Sequence, residues 1–190
     1  LTTGTSNTAL GQSALEGCVD GTNNVAIGYE TGTADWGDAN VAVGYRALKL
    51  NTADNNTAVG NEALISNTTG ASNTAVGKDA LTANTTADYN TAIGQNALSA
   101  VTTQGQLTAV GRSALAANTT GSENAAVGYQ SLQANTTGPN NTALGYNALT
   151  ANTTGNGNTG VGRRALEANT TTNNNTGIGY QALQTNTGGG

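Results

Sequence analysis

The chain has 190 residues, well over half of them Ala, Gly, Asn or Thr; it lacks Phe, Met and His and holds a single Trp and a single Pro. Such a composition excludes an ordinary globular core, and with no His, one Cys and thinly spread acids there is no acid–base pair, nucleophile–base arrangement or metal cluster to name. The net charge of −5 arises from six basic and eleven acidic residues scattered along the chain, so the basic stripe that nucleic-acid phosphate requires is missing.

Disorder is the other reading of low hydrophobicity, but disordered segments tend to be rich in charge or proline and this one is not. No apolar run approaches the roughly 20 residues needed to cross a bilayer, and no signal-peptide pattern opens the chain. The chain begins at Leu1 and is read as a processed chain or a piece of a longer one. Cys18 stands alone and reads as a buried structural thiol.

In chain order, one phrase repeats. Each copy is anchored by a glycine that follows an apolar residue: Gly11, Gly28, Gly44, Gly60, Gly77, Gly94, Gly111, Gly128, Gly145, Gly162 and Gly179. Successive anchors are 17 residues apart, except from Gly28 to Gly44 and from Gly44 to Gly60, where the step is 16. A fixed period of this kind marks a repeat architecture. Residues 1–187 read as a single repeat domain, more degenerate over 1–54, with a Gly-rich end at 188–190.

Within a copy, Asn-Thr-Ala-Val predicts a strand, Gly-x-x a turn, Ala-Leu-x-x a second strand, and Asn-Thr-Thr-Gly-x-x a longer turn back. Gly reaches positive φ cheaply and Asn tolerates it, which suits both residues to such turns. Seventeen residues interrupted in this way leave no room for two helices. The expected fold is therefore all-β: a parallel β-solenoid, or β-roll, of about eleven 17-residue two-stranded coils. Stacked at roughly 4.8 Å, eleven coils make a rod of about 50 Å.

Stacking puts like on like. The residue before each anchor is branched and apolar, from Leu10 and Ile27 to Ile178, and a Leu lies four after it in every copy except at Gly32. Both rows are expected inside. The Asn four before the anchor recurs in every copy but one, where Leu107 replaces it, and predicts an amide ladder. Two Ala rows, one including Ala75, Ala92 and Ala109 and the other preceding each Leu, are expected to face outward, and one of the two is expected to be the interface of a homotrimer.

The stretches "NNVAIGYETGTA" and "NVAVGYRALKLNTA" resemble the head repeats of trimeric autotransporter adhesins, the YadA-like head family. The stretch "NTAVGKDALTANTTADY" resembles the longer repeats of phage tail fibres and bacterial surface fibres. The resemblance runs from about Asn7 to Asn186 and implies a left-handed parallel β-roll with three chains packed about a common axis. It also implies an extracellular, cell-surface or virion-fibre location. The coils here are longer than in the adhesins, and Thr mostly replaces Val three before the anchor.

The functional expectation is a non-enzymatic structural fibre or adhesin head or stalk segment that mediates surface attachment, with a carbohydrate or host surface as ligand. The alternative is a self-assembling homopolymer, an extracellular filament subunit. A third class is ice binding, from the rank of Thr57, Thr74, Thr91 and Thr108, which Val25, Val41 and Ala125 interrupt. No cofactor, metal, nucleic acid or membrane insertion is expected, and Asp35, Asp38 and Glu30 lack the ligand spacing of a calcium loop.

Two sets of candidate residues remain. Arg112, Tyr129, Tyr146, Arg163 and Tyr180 each follow an anchor and predict a surface ladder in which rings and guanidinium planes overlie one another, either binding a ligand or capping the turn row. Asn67, Asn84, Asn118, Asn135, Asn152 and Asn169 each begin an N-x-T sequon, joined by Asn55, Asn140 and Asn174. Turn chemistry is the favoured account of the first six and glycosylation the alternative, because Asn51 and Asn186 hold the same turn without a sequon.

Overall fold

The computed structural model describes residues 3–188. It is a parallel β-solenoid with eleven strands, each of three residues: β1 (Thr8–Leu10), β2 (Val25–Ile27), β3 (Val41–Val43), β4 (Thr57–Val59), β5 (Thr74–Val76), β6 (Thr91–Ile93), β7 (Thr108–Val110), β8 (Ala125–Val127), β9 (Thr142–Leu144), β10 (Thr159–Val161) and β11 (Thr176–Ile178). The strands form one sheet in sequence order, and each pairs in parallel with the next at the same register, as in Ala75 opposite Ala92 and Val76 opposite Ile93.

Each coil contributes one strand, not two. The Ala-Leu-x-x segment is instead a pair of consecutive turns, closed by Ala97 N–H to Gly94 O at 3.2 Å and Val101 N–H to Leu98 O at 3.4 Å. Asn96 and Leu98 sit at φ +57° and +51°, and the same two positions repeat the left-handed conformation along the stack. Alternation of hand turns successive N–H groups up and then down: Asn96 donates to Lys78 O in the coil before, and Leu98 to Ala114 O in the coil after. A left-handed leucine costs roughly 1–2 kcal/mol. Complete burial of its side chain, worth about 1.5–3 kcal/mol, offsets that cost.

The interior also inverts the expectation for the strand. The middle residue of each strand, Ala26, Ala42, Ala58, Ala75, Ala92, Ala109, Ala126 and Ala143, is buried, while the branched residue beside it faces outward. Both Ala rows are therefore core and neither is an interface. Glu at Ala75, Ala92 and Ala109 would break the coil rather than separate chains. The reason is size: the coil is so narrow that only a methyl fits opposite the Leu row. Where Gly160 and Gly177 replace Ala, an added Cβ would already lie 3.2 and 3.1 Å from the Cγ atoms of Leu149 and Leu166.

The anchor glycines hold the coils at contact distance. Gly94 has φ +134°, and a Cβ there would lie 2.5 Å from the carbonyl oxygen of Gly111. The one missing Leu is compensated from the same coil, for Trp36 fills the space above Gly32, is buried, and donates its indole N–H to Leu48 O at 3.0 Å. Cys18 is buried as expected, its Sγ 4.0 Å from Gly21 O and Trp36 O, and burial raises its thiol pKa.

A large minority of the buried residues are polar, most of them Asn. In one Asn row, Oδ1 of each residue accepts the backbone N–H of the Asn one coil on, as in Asn73 to Asn56 and Asn90 to Asn73, both 2.9 Å. In the other, Nδ2 reaches back to the previous Oδ1, as in Asn135 to Asn118 and Asn152 to Asn135, both 2.8 Å. Both rows break in adjoining positions, at Val101 and Leu107, which are both buried. Asn84 Oδ1 is consequently buried without a partner, since Val101 has no amide to offer it.

An apolar pair in place of an amide pair removes donors and acceptors together, whereas one substitution strands its partners. Asn135→Val alone should therefore destabilise the chain by about 1–3 kcal/mol in urea unfolding, by orphaning Asn118 Oδ1. The double variant Asn135→Val, Asn141→Leu, which copies Val101 and Leu107, should recover part of that loss.

Candidate interaction surfaces

Three surfaces are built by the repeat: an outward strand face, a stripe beside the anchor turn, and a loop edge. The strand face carries two ranks. Thr or Val three before the anchor alternates with the branched residue one before it, and both ranks lie wholly or partly exposed from β1 to β11. The result is a straight apolar rank, with Leu10, Ile93, Val127, Leu144 and Ile178 its most open members, flanked by threonines. The sequence placed this rank inside, so the face it creates could not be anticipated.

The stripe beside the turn assembles as the residue spacing predicted. Tyr129 and Tyr146 stack with ring centroids 5.2 Å apart and planes 9° from parallel. The Arg112 guanidinium lies 5.7 Å from the Tyr129 centroid and donates to its hydroxyl at 3.1 Å. Arg163 lies 5.5 Å from both the Tyr146 and Tyr180 rings and donates to the Tyr180 hydroxyl at 3.0 Å. Both faces of Tyr129 and of Tyr146 are thus occupied by their neighbours. What these two rings leave outward is edges and hydroxyls, so a sugar has no free ring face on Tyr129 or Tyr146 on which to stack.

A second aromatic cluster stands on the early coils. Tyr29 and Tyr45 stack at 5.5 Å and Arg46 lies over Tyr45 at 5.0 Å. Glu30 beneath them accepts from Lys49 Nζ at 2.6 Å and Arg46 Nε at 2.9 Å. Hydrogen bonds from Lys49, then from Tyr29, hold its carboxyl down at about 2, well below the usual 4.5. Asp35 and Asp38 join no such cluster; each accepts a backbone N–H from the previous coil, Val19 and Thr22 respectively, at 2.7 Å. Among the described residues no group of three or more His, Cys, Asp or Glu is placed to hold a metal ion, and no helix is long and apolar enough to cross a membrane.

On the loop edge, Asn67, Asn84, Asn118, Asn135, Asn152 and Asn169 are all fully buried in the second amide ladder. Their Nδ2 atoms donate inward, as Asn67 does to Asn51 Oδ1 at 2.7 Å and to Gly70 O at 2.8 Å. A glycan on any of them would require the ladder to open, so turn and ladder chemistry accounts for these asparagines. Asn55, Asn140 and Asn174 are exposed instead. A further feature of this edge, which no residue pattern announces, is a recess near Tyr89.

No family model, curated protein or solved structure matches the chain.

Two outcomes follow from the stripe and the cluster. Tyr146→Ala removes one ring stack and one cation–π contact and should lower stability by about 1–2 kcal/mol in urea unfolding, without unfolding the coil. For Glu30, the folded pKa is depressed, so its contribution is present above pH 4.5 and is lost as pH falls toward 2. The difference in urea midpoint between the parent chain and Glu30→Gln should accordingly shrink across that window.

Proposed function

We propose that the chain is a non-enzymatic structural segment of an extracellular, cell-surface or virion fibre, assembling as a homotrimer through the outward strand face. The observation that supports it is the unbroken apolar rank along that face. Single exposed apolar residues are ordinary, but a contiguous rank running the length of a molecule marks an interaction surface.

A face about 50 Å long and about 10 Å wide offers on the order of 500 Å2, short of the roughly 800 Å2 per partner of a stable interface. A pair of chains joined by this face alone is therefore undersized, whereas closure of three chains about an axis also draws the flanks of the face into contact. The small, polar-rich core points the same way, since a coil that hides mainly Ala, Leu and Asn gains comparatively little from burial on its own.

A second reading, growth of a filament by coil stacking on coil, draws support from the in-register strand edges of β1 and β11, each of which accepts another identical strand. An ice-binding face, resting on the threonine rank, is the third.

Light scattering of the purified chain separates these readings. A concentration-independent trimer supports the first, while particles that lengthen with concentration favour the filament; thermal hysteresis would favour ice binding. The triple variant Val59→Asp, Val76→Asp, Val110→Asp should reduce the trimer to monomer with the circular dichroism of the parent. The triple variant Thr69→Asp, Thr120→Asp, Thr137→Asp on the exposed loop edge should leave it a trimer. A folded monomer from the unmutated chain would overturn the proposal.

A further inference from the structure

The loop edge is bonded coil to coil almost everywhere. Thr85 and Thr86 N–H both donate to Thr102 O, at 3.0 and 3.3 Å, and Thr119 and Thr120 N–H to Thr136 O, at 2.9 and 3.2 Å. Threonine hydroxyls add a parallel row, Thr85 to Thr102 O and Thr119 to Thr136 O, each 3.1 Å. One step is missing. Among the described residues, neither Thr102 nor Thr103 donates to Thr119 O, and Glu123 N–H does not reach Gly105 O, although the equivalent bonds Gln106 to Asp88 O and Asn140 to Ser122 O are 3.2 and 3.0 Å.

The cause lies directly underneath. Val101 and Leu107 interrupt both amide ladders at the two ends of this loop, so nothing ties it to the coil above. Gly105 then lets the loop settle toward the coil below, where a Cβ would lie 2.4 Å from Asp88 O. Beside the settled loop the edge is recessed by about 270 Å3, with walls from residues 86–89 and 103–106 and with Ser122 alone from the coil above.

We infer that this recess is a binding site for the ring of a neutral sugar. The volume is just below the roughly 300–1,000 Å3 of pockets for drug-sized ligands, which suits one ring. Tyr89 makes neither a ring stack nor a cation–π contact among the described residues, and it is 65% exposed. It offers the apolar ring face that Tyr129 and Tyr146 turn to their neighbours. Around it are amides, a hydroxyl and unpaired backbone N–H groups, a mixture of donors and acceptors that sugar hydroxyls, being both, can match.

Charge sets the class. No Lys or Arg lines the recess, and Asp88 does, its Oδ1 held by Ala71 N–H at 2.7 Å and its Oδ2 without a partner among the described residues. An anionic sugar would meet that carboxylate with no cation to offset it. This inference rests on the attachment reading above for its biological role only; the chemistry of the recess is independent of the oligomeric state.

The test is an amide chemical-shift titration of the isotope-labelled full chain with the methyl glycosides of glucose, galactose, mannose and N-acetylglucosamine. At least one should shift the amides of residues 102–106 and 122–123 and leave the Arg–Tyr ladder unmoved. Tyr89→Asn, chosen because Asn accepts the φ of +60° found there, should weaken binding about tenfold or more, and Gln104→Ala should weaken it less. Restoring both ladders with Val101→Asn, Leu107→Asn should close the gap and abolish binding, while Tyr146→Ala should bind as the parent does. If no glycoside shifts these amides in a natively folded chain, if Tyr89→Asn binds unchanged, or if N-acetylneuraminic acid alone binds, the inference is overturned. A trimer by light scattering alongside any of those results would show that the recess reading had failed and the fibre reading had not.

Discussion

In-register stacking of one backbone on the next is the constraint from which the rest of this structure follows. Coils held about 4.8 Å apart by parallel strand bonds must superpose, and whatever sits at one position in a coil touches its own counterpart above and below. The anchor glycines show how little tolerance remains: the backbone of one coil meets the carbonyl of the next where a Cβ would stand. Repetition in the sequence is the chemical answer, because the side chain best suited to a position must also be compatible with itself. Asparagine meets that test inside the coil, where an amide can donate in one direction and accept in the other. Tyrosine and arginine meet it outside, where planar groups overlie one another.

The interior departs from the usual ordering of sizes. Alanine is inside and valine outside because the coil closes in only sixteen or seventeen residues, with two asparagines already occupying part of its width. The same shortage of space explains Trp36, whose ring is admitted only because Gly32 vacates a leucine position. It also explains why the pair Val101 and Leu107 occurs as a pair. A single apolar residue would leave ladder amides unsatisfied on several sides, and the one that is left, Asn84 Oδ1, marks where the two regimes meet.

Much of this was legible in the residues, and the remainder was hidden for specific reasons. Period, parallel stacking, the Asn ladder, the buried Leu row and the Arg–Tyr ladder follow from spacing, since a repeat that stacks in register fixes neighbours directly. The direction of each strand residue did not follow, because alternation says only that Ala and Val face opposite ways. The larger was assigned inward on hydrophobicity, and coil width decided otherwise. The pair of turns that stands where a second strand was expected was not legible, because a non-glycine residue at positive φ is uncommon and nothing about Leu98 or its counterparts announces one. The recess was invisible because it consists of bonds that are absent, and a lost rung leaves its trace only in two substitutions that look conservative for a core. Trimer packing rests on contacts that a single chain does not contain.

The unbonded step between residues 102 and 119 lies on one side of the stack only. On the other side β7 and β8 remain paired in full register. A column glued along one edge and free along the other is a hinge, with its axis along the bonded strands and its opening at the loops. Lateral force on such a rod would concentrate there as bending, leaving β1–β7 on one side and β8–β11 on the other to move as stiff arms. A filament made of many such units would gain a compliant joint at regular intervals, set by two side chains and requiring no linker.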